Sequence, residues 1–197
     1  MITSHPQLDS VNRIMDGFTY PWFIGGGWAI DLEVGKVSRN HGDMDICVFR
    51  EHAKELLAHF SVWQIEVAIP KESRLEPVLS IEDIRPPRYG LHLTKNEEFV
   101  EVLLTDKQDG EIIFRRDRDI KMSIHEAIRT DPIGRKYIAP ELQLLYKAKE
   151  ERDKDHHDFS IALLFMDDKQ KAWLLKALAK HHPDSPWISR LIYSSLK

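Results

Sequence analysis

The segment WFIGGGWAIDLEVGKVSRNHGDMDICVF, Trp22 to Phe49, decides how this chain is read. A short apolar run enters three consecutive glycines, Gly25, Gly26 and Gly27, and a second apolar run carries Asp43 and Asp45 one residue apart. Side chains alternate faces along a strand, so residues i and i+2 point the same way. Read as strand residues, Asp43 and Asp45 project together, and two carboxylates so placed repel unless a cation lies between them. Oxygen-only ligands suit Mg²⁺ held jointly with substrate phosphates. The glycines leave bare backbone N–H groups ahead of a helix, which is where phosphate binds. A phosphate cradle and a carboxylate pair in one segment imply phosphoryl or nucleotidyl transfer.

Working outward, LDSVNRIMDG (8–17) repeats apolar residues at helical spacing and stops at Gly17. YPWFIG reads as a strand entering the glycine turn, WAIDLEVG as a helix stopped by Gly35, and MDICVF as the carboxylate strand. HAKELLAHF reads as a helix and SVWQIEVAI as a strand. Residues 70–90 hold Pro70, Pro77, Pro86 and Pro87 and read as a long irregular connection. GLHLTK and EFVEVLLT are strands split by a polar turn, and DGEIIFRR opens one more. From Pro140 the periodicity is helical: PELQLLYKAKEERDK, HDFSIALLFM, DKQKAWLLKALAKHH and SPWISRLIYSSL. This predicts a mixed unit over residues 1–139 and a helical unit over 140–197.

The chain has 197 residues and a net charge of −4, with 28 Lys+Arg against 32 Asp+Glu. No global basic field advertises nucleic-acid binding, although a local basic groove is compatible with these totals. No apolar run approaches the ~18 residues of a membrane helix. MITSHPQLDS lacks the basic and apolar regions of a signal peptide. The single Cys47 fits a reducing cytosol, so the expected location is cytoplasmic, and Cys47 reads as a small packed residue.

The quoted segment closely resembles the nucleotidyltransferases of the DNA polymerase β superfamily, which carry a Gly-Gly or Gly-Ser turn, a spacer and Asp-x-Asp on a strand. It is especially similar to the aminoglycoside 2''-adenylyltransferases, with the lincosamide nucleotidyltransferases next. Gly25, Gly26, Gly27, Trp28, Asp31, Gly35, Arg39, His41, Asp43 and Asp45 carry the likeness in register. Gly42 before Asp43, and Met44 in place of a more usual Ile, are slight departures. The run PELQLLYKAKEERDKDHHDF also looks like a segment of uncharacterised bacterial members. The resemblance implies an α+β fold, a nucleotidyltransferase-type mixed sheet with flanking helices, followed here by the helical C-terminal unit. It implies a Mg²⁺-dependent enzyme with a two-metal site that moves an NMP, AMP first, from a nucleoside triphosphate to a hydroxyl of a small polar acceptor. Antibiotic resistance follows from the likeness, but the helical unit resembles the aminoglycoside enzymes only in being helical. Rival readings are a toxin-like or regulatory enzyme acting on tRNA or protein, and a nucleotide-binding module without turnover.

A two-metal transferase needs a third carboxylate beside the first pair, to orient or activate the attacking hydroxyl. In the superfamily a neighbouring strand supplies it. Glu101, charged inside apolar FVEVLL, is the candidate, where close relatives carry Asp; Glu66 in WQIEVAI competes. Asp43, Asp45 and Glu101 are thus the expected catalytic residues and metal ligands. Gly26 and Gly27 are expected at the phosphates. Arg39 and His41 are expected either to contact the triphosphate or to shape their loop. Asp31 either braces one of them or is solvated, and Trp28 packs helix onto sheet. On a helical wheel continued through residue 149, Lys149 falls near the apolar stripe of Leu142, Leu145 and Ala148, and Lys147 points nearly the opposite way. Lys149 is therefore the leading phosphate ligand and Lys147 the lesser one. His156 and His157, among acidic residues, lack zinc spacing and read as a solvated helix start capped by Asp155. Arg115, Arg116 and Arg118 read as a mixed-charge surface.

Overall fold

The structure, a computed structural model, describes residues 1–194. Helix α1 (Pro6–Ile14) starts at His5, whose ring accepts from the Gln7 N–H, and it buries Leu8 and Val11. Strand β1 (Trp22–Ile24) leads into helix α2 (Gly26–Val34), which ends at Gly35 in the left-handed region, φ 77°. Only glycine holds that conformation without strain. Helix α2 buries Trp28, Ala29, Ile30, Asp31 and Leu32, so it is enclosed rather than amphipathic. Strand β2 (Asp45–Phe49) follows, then α3 (Ala53–His59) and β3 (Gln64–Ala68).

The proline-rich stretch expected to be irregular contains a strand, β4 (Leu75–Pro77), which pairs with β3 at the sheet edge. Proline is tolerated at an edge because a missing N–H there breaks no internal ladder. Strands β5 (Gly90–Lys95) and β6 (Glu98–Thr105) fall where alternation predicts them. Strands β7 (Lys107–Gln108), β8 (Glu111–Ile113) and β9 (Lys121–Ser123) form a small second sheet. Helix α4 (Ile124–Ala127) and strands β10 (Ile128–Thr130) and β11 (Lys136–Ile138) complete the mixed part, and pattern alone gave no sign of them or of β9. Three-residue strands are too short for a period of two to register.

The main sheet has eight strands in the order β10-β11-β1-β2-β6-β5-β3-β4. It is mixed: β1 with β11 and β2 with β6 are parallel, and the rest antiparallel. This is the expected α+β architecture. Four helices follow: α5 (Pro140–Lys147), α6 (Asp153–Leu163), α7 (Asp168–His181) and α8 (Trp187–Ser194). The last helix was expected over residues 185–196; its final two positions lie outside the described residues. Helices α5 and α6 pack on α2, and one apolar core joins Trp28 and Ile46 to Leu145, Phe159 and Trp187 across Pro140. Among the described residues no helix is long and apolar enough to cross a membrane.

Candidate active site

The glycine turn is built around close approach. Gly26 has φ +62°, and a Cβ there would overlap Asp45 Oδ2; a Cβ on Gly27 would overlap Arg39 Nη2 and press on the His41 ring. The N-cap of α2, Gly25, has no side chain with which to cap the helix. Its Gly26 N–H donates to Gln143 Oε1 of α5 at 2.9 Å, a contact that nothing in the sequence advertises. Trp28 is core, and its indole N–H donates to Gln7.

Asp45 opens β2, and Glu101 of β6 stands directly opposite it in the parallel register. Asp43 differs from expectation: it lies before the strand, exposed, because pairing to β6 begins where the Glu101 N–H reaches Met44 O. Its carboxylate nevertheless reaches the other two. One carboxylate oxygen from each of Asp43, Asp45 and Glu101 lies within 4.8 Å of the others. Glu66 is not in this cluster. It lines up with His92, which lines up with Glu101, so it stands two strands away along the same row.

Burial, then the charges of Glu101 and Asp43, pushes the Asp45 carboxyl up to about 7. Burial likewise raises Glu101. Three hard oxygen donors this close, with burial opposing their charge, match the donor set of Mg²⁺. Cys47, two residues along β2, is buried, and burial pushes its thiol up to about 12, so it is inert packing.

Arg39 and Lys147 meet over two buried carboxylates. Arg39 Nε and Nη2 donate to Asp158 at 2.8 and 2.9 Å, and Lys147 Nζ donates to Asp155 at 3.0 Å and reaches Asp158 at 2.9 Å. Arg152 Nε donates to Asp155 at 2.8 Å. Burial opposes the charges of Asp155 and Asp158, but their hydrogen bonds to Arg152, Lys147 and Arg39 hold both below the usual carboxylate range. The expected solvated helix start is therefore a buried ion cluster. Arg152 is the N-cap of α6, and the Asp155 carboxylate accepts its N–H in a capping box. The histidines of that stretch hold no cluster either: His156 Nδ1 accepts from the Trp187 indole N–H.

The two lysines exchange the orientations expected of them. Helix α5 ends at Lys147, so a wheel continued to residue 149 does not apply. Lys147 has an 8% exposed side chain and sits in the ion cluster, while Lys149 is 59% exposed and only 3.6 Å from Glu150. His41 also takes a different place. Its Nε2 lies 2.6 Å from Asp31 Oδ2, its ring sits 4.5 Å from Trp28, and it does not line the cleft. It braces the loop against α2, and Ser38 completes the Asp31 site.

These groups surround a cleft of about 300 Å³, lined by Gly26, Gly27, Arg39, Asp43, Asp45, Glu101, Lys147 and Lys149 among others. Arg115 and Arg116, expected on a mixed-charge surface, line it too. A roomier groove of about 530 Å³ beside Tyr20 and Lys136 has no carboxylate in its lining.

A glycine turn against a β-strand carboxylate, with a third carboxylate in register on the neighbouring strand, is the arrangement that the sequence resemblance implies. Residues 7–85 match the family described as Aminoglycoside-2''-adenylyltransferase. A 2''-aminoglycoside nucleotidyltransferase of Escherichia coli is 40% identical over 55 residues, 26% of this chain. One from Klebsiella pneumoniae is 50% identical over 55 residues. The match spans 31% of the length of these curated relatives. The lincosamide antibiotic adenylyltransferase LnuA, lincomycin-bound, shares the fold with a TM-score of 0.57 at 18% identity, over 83% of this chain and 98% of that one. ANT(2")-Ia in complex with adenylyl-2"-tobramycin does so with a TM-score of 0.59 at 16% identity, over 88% and 96%. Both solved structures are similar to this chain in fold, and the sequence likeness to the curated relatives lies in the 55 residues that they share with it.

Proposed function

We propose that this chain is a nucleotidyltransferase that moves a nucleoside monophosphate, AMP foremost, from a nucleoside triphosphate to a hydroxyl of a small polar acceptor. An aminoglycoside- or lincosamide-like antibiotic is the leading acceptor. The observation that carries the proposal is the meeting of Asp43, Asp45 and Glu101 within 4.8 Å, beside the glycine turn. Two Mg²⁺ ions held by these carboxylates would polarise the α-phosphate and offset charge on the departing pyrophosphate.

The chain's own groups divide the remaining work. Gly26 and Gly27 let phosphate oxygens approach the start of α2, where the positive end of the helix dipole receives them, while the Gly26 N–H itself is taken by Gln143. Arg39 and Lys147 neutralise the triphosphate from the far side of the turn; the ion cluster fixes their positions and so removes reorganisation cost. Lys149 at the rim adds longer-range attraction. Glu101, raised by burial, is the base that takes the acceptor's hydroxyl proton.

The test is incubation with α-labelled nucleoside triphosphates, Mg²⁺ and a panel of aminoglycosides, lincosamides, tRNA and proteins. Label on a small molecule supports the proposal. Label on tRNA or protein favours the toxin-like reading, and tight binding with no transfer to any acceptor favours a binding module.

A further inference from the structure

We propose that Arg115 and Arg116 form a phosphate clamp in the wall of the cleft, a second anion site distinct from the glycine turn with Arg39 and Lys147. The inference rests on the donor reading above and concerns residues with no place in the sequence motif.

The inward cations of this cleft differ in one respect. Arg39, Lys147 and Arg152 each meet buried Asp155 or Asp158. Lys149 and Lys154 are exposed to water. Arg115 and Arg116 are half-buried, yet among the described residues neither has a carboxylate within ion-pair reach. A cation withdrawn from water without a counter-charge is costly, and two in sequence repel each other. Burial, and then the neighbouring Arg115, push Arg116 down to about 10.

Both guanidiniums are held in place by contacts other than ion pairs, with Glu101 and Glu150 acting on them only from beyond ion-pair distance. Arg115 lies over two rings, 5.1 Å from the Tyr89 centroid and 5.5 Å from that of Tyr146. Arg116 lies 5.7 Å from the Tyr146 ring and donates through Nη1 to Tyr146 O at 2.9 Å. Aromatic faces orient a guanidinium without using up its N–H donors. What remains is two oriented forks of spare donors facing a cleft, a geometry that matches the paired oxygens of phosphate. The ligand class is therefore a phosphate oxyanion, supplied either by the α-phosphate of the donor or by its terminal phosphates, which leave as pyrophosphate.

The test is calorimetric titration of the full chain and of Arg115→Gln and Arg116→Gln with Mg-ATP, Mg-pyrophosphate, AMP and adenosine, alongside melting curves. Mg-ATP affinity should fall roughly 10–100-fold in each variant, with adenosine binding unchanged. A loss confined to ATP and pyrophosphate puts the clamp on the leaving group; a loss shared by AMP puts it on the α-phosphate. Arg115→Lys, which keeps the charge but loses the fork, should recover only part of the affinity. Melting temperatures should hold or rise, since each substitution removes a half-buried charge that has no ion-pair partner. Should Arg116→Gln fail to fold, Arg115→Gln and Arg116→Lys carry the comparison. Variants that bind all phosphates as the parent does overturn the clamp alone, as does an equal loss for adenosine. A parent that binds neither Mg-ATP nor pyrophosphate overturns the donor reading and the clamp together.

Discussion

Replacing Asp45 by Asn should stabilise the metal-free protein at pH 8. Burial and the neighbouring carboxylates raise Asp45 from an ordinary 3.8 to about 7 in the fold. Below pH 3.8 both folded and unfolded chains hold the proton, and the site costs nothing. Between 3.8 and about 7 the folded chain keeps a proton that the unfolded chain has lost, so stability falls as pH rises. Above that window the loss is complete, on the order of 4 kcal/mol. Asn carries no charge and escapes this loss. At about 2–4 °C per kcal/mol for a chain of this size, the variant should melt on the order of 10 °C above the parent at pH 8 in chelator. The lead should shrink to about a third at pH 5, where little of the window has been crossed. Adding Mg²⁺ should raise the parent and not the variant, because a ligand that binds only the intact site stabilises only the intact site. Melting curves at the two pH values, with chelator and with Mg²⁺, provide the assay. A variant that melts below the parent at pH 8 in chelator, or one whose lead is the same at both pH values, refutes the reasoning.

Glu101→Gln should lower turnover by about 10²–10⁴-fold and weaken Mg-ATP binding far less, because the lost base acts on the acceptor hydroxyl while Asp43, Asp45 and the remaining amide oxygen still face the metal; parallel kinetics and calorimetry check the split. Lys147→Met should cost about 3 kcal/mol or more of stability, since it strips a cation from two buried carboxylates, and should weaken ATP binding. Lys149→Met, on the exposed rim, should change stability by less than about 0.5 kcal/mol. Urea unfolding of the pair decides between this order and its reverse. His41→Leu should destabilise by about 1–3 kcal/mol, because buried Asp31 then keeps only Ser38 as a side-chain partner, and should leave the dissociation constant for Mg-ATP nearly unchanged.

What the sequence disclosed has a physical pattern. The glycine turn, the strand after Met44 and the Glu101 strand are signalled by local chemistry: φ freedom at glycine, alternation of faces, and a charge inside an apolar run. Those signals survive without knowledge of the fold. The ion cluster depends on partners far apart in the chain, such as Arg39 and Asp158, 119 residues distant, so its acidic half looks like an ordinary solvated helix start. Lys147 and Lys149 exchange the orientations expected of them because α5 ends at Lys147, before the wheel reaches residue 149. Arg115 and Arg116 sit in a run of alternating charge that usually marks a surface, whereas in the fold Arg115 lies over Tyr89 and Tyr146, and Arg116 over Phe114 and Tyr146, partners that the run itself does not disclose. Asp43 joins the cluster although it lies outside the strand, two residues before Asp45.

The most direct test of the central claim is titration of the unmodified chain with ATP, by calorimetry, in chelator and in Mg²⁺. Asp43, Asp45 and Glu101 repel a triphosphate when they are bare and receive it when a divalent cation lies among them. Tight binding only in Mg²⁺ is the predicted result. Equal affinity in both solutions would contradict the three-carboxylate site.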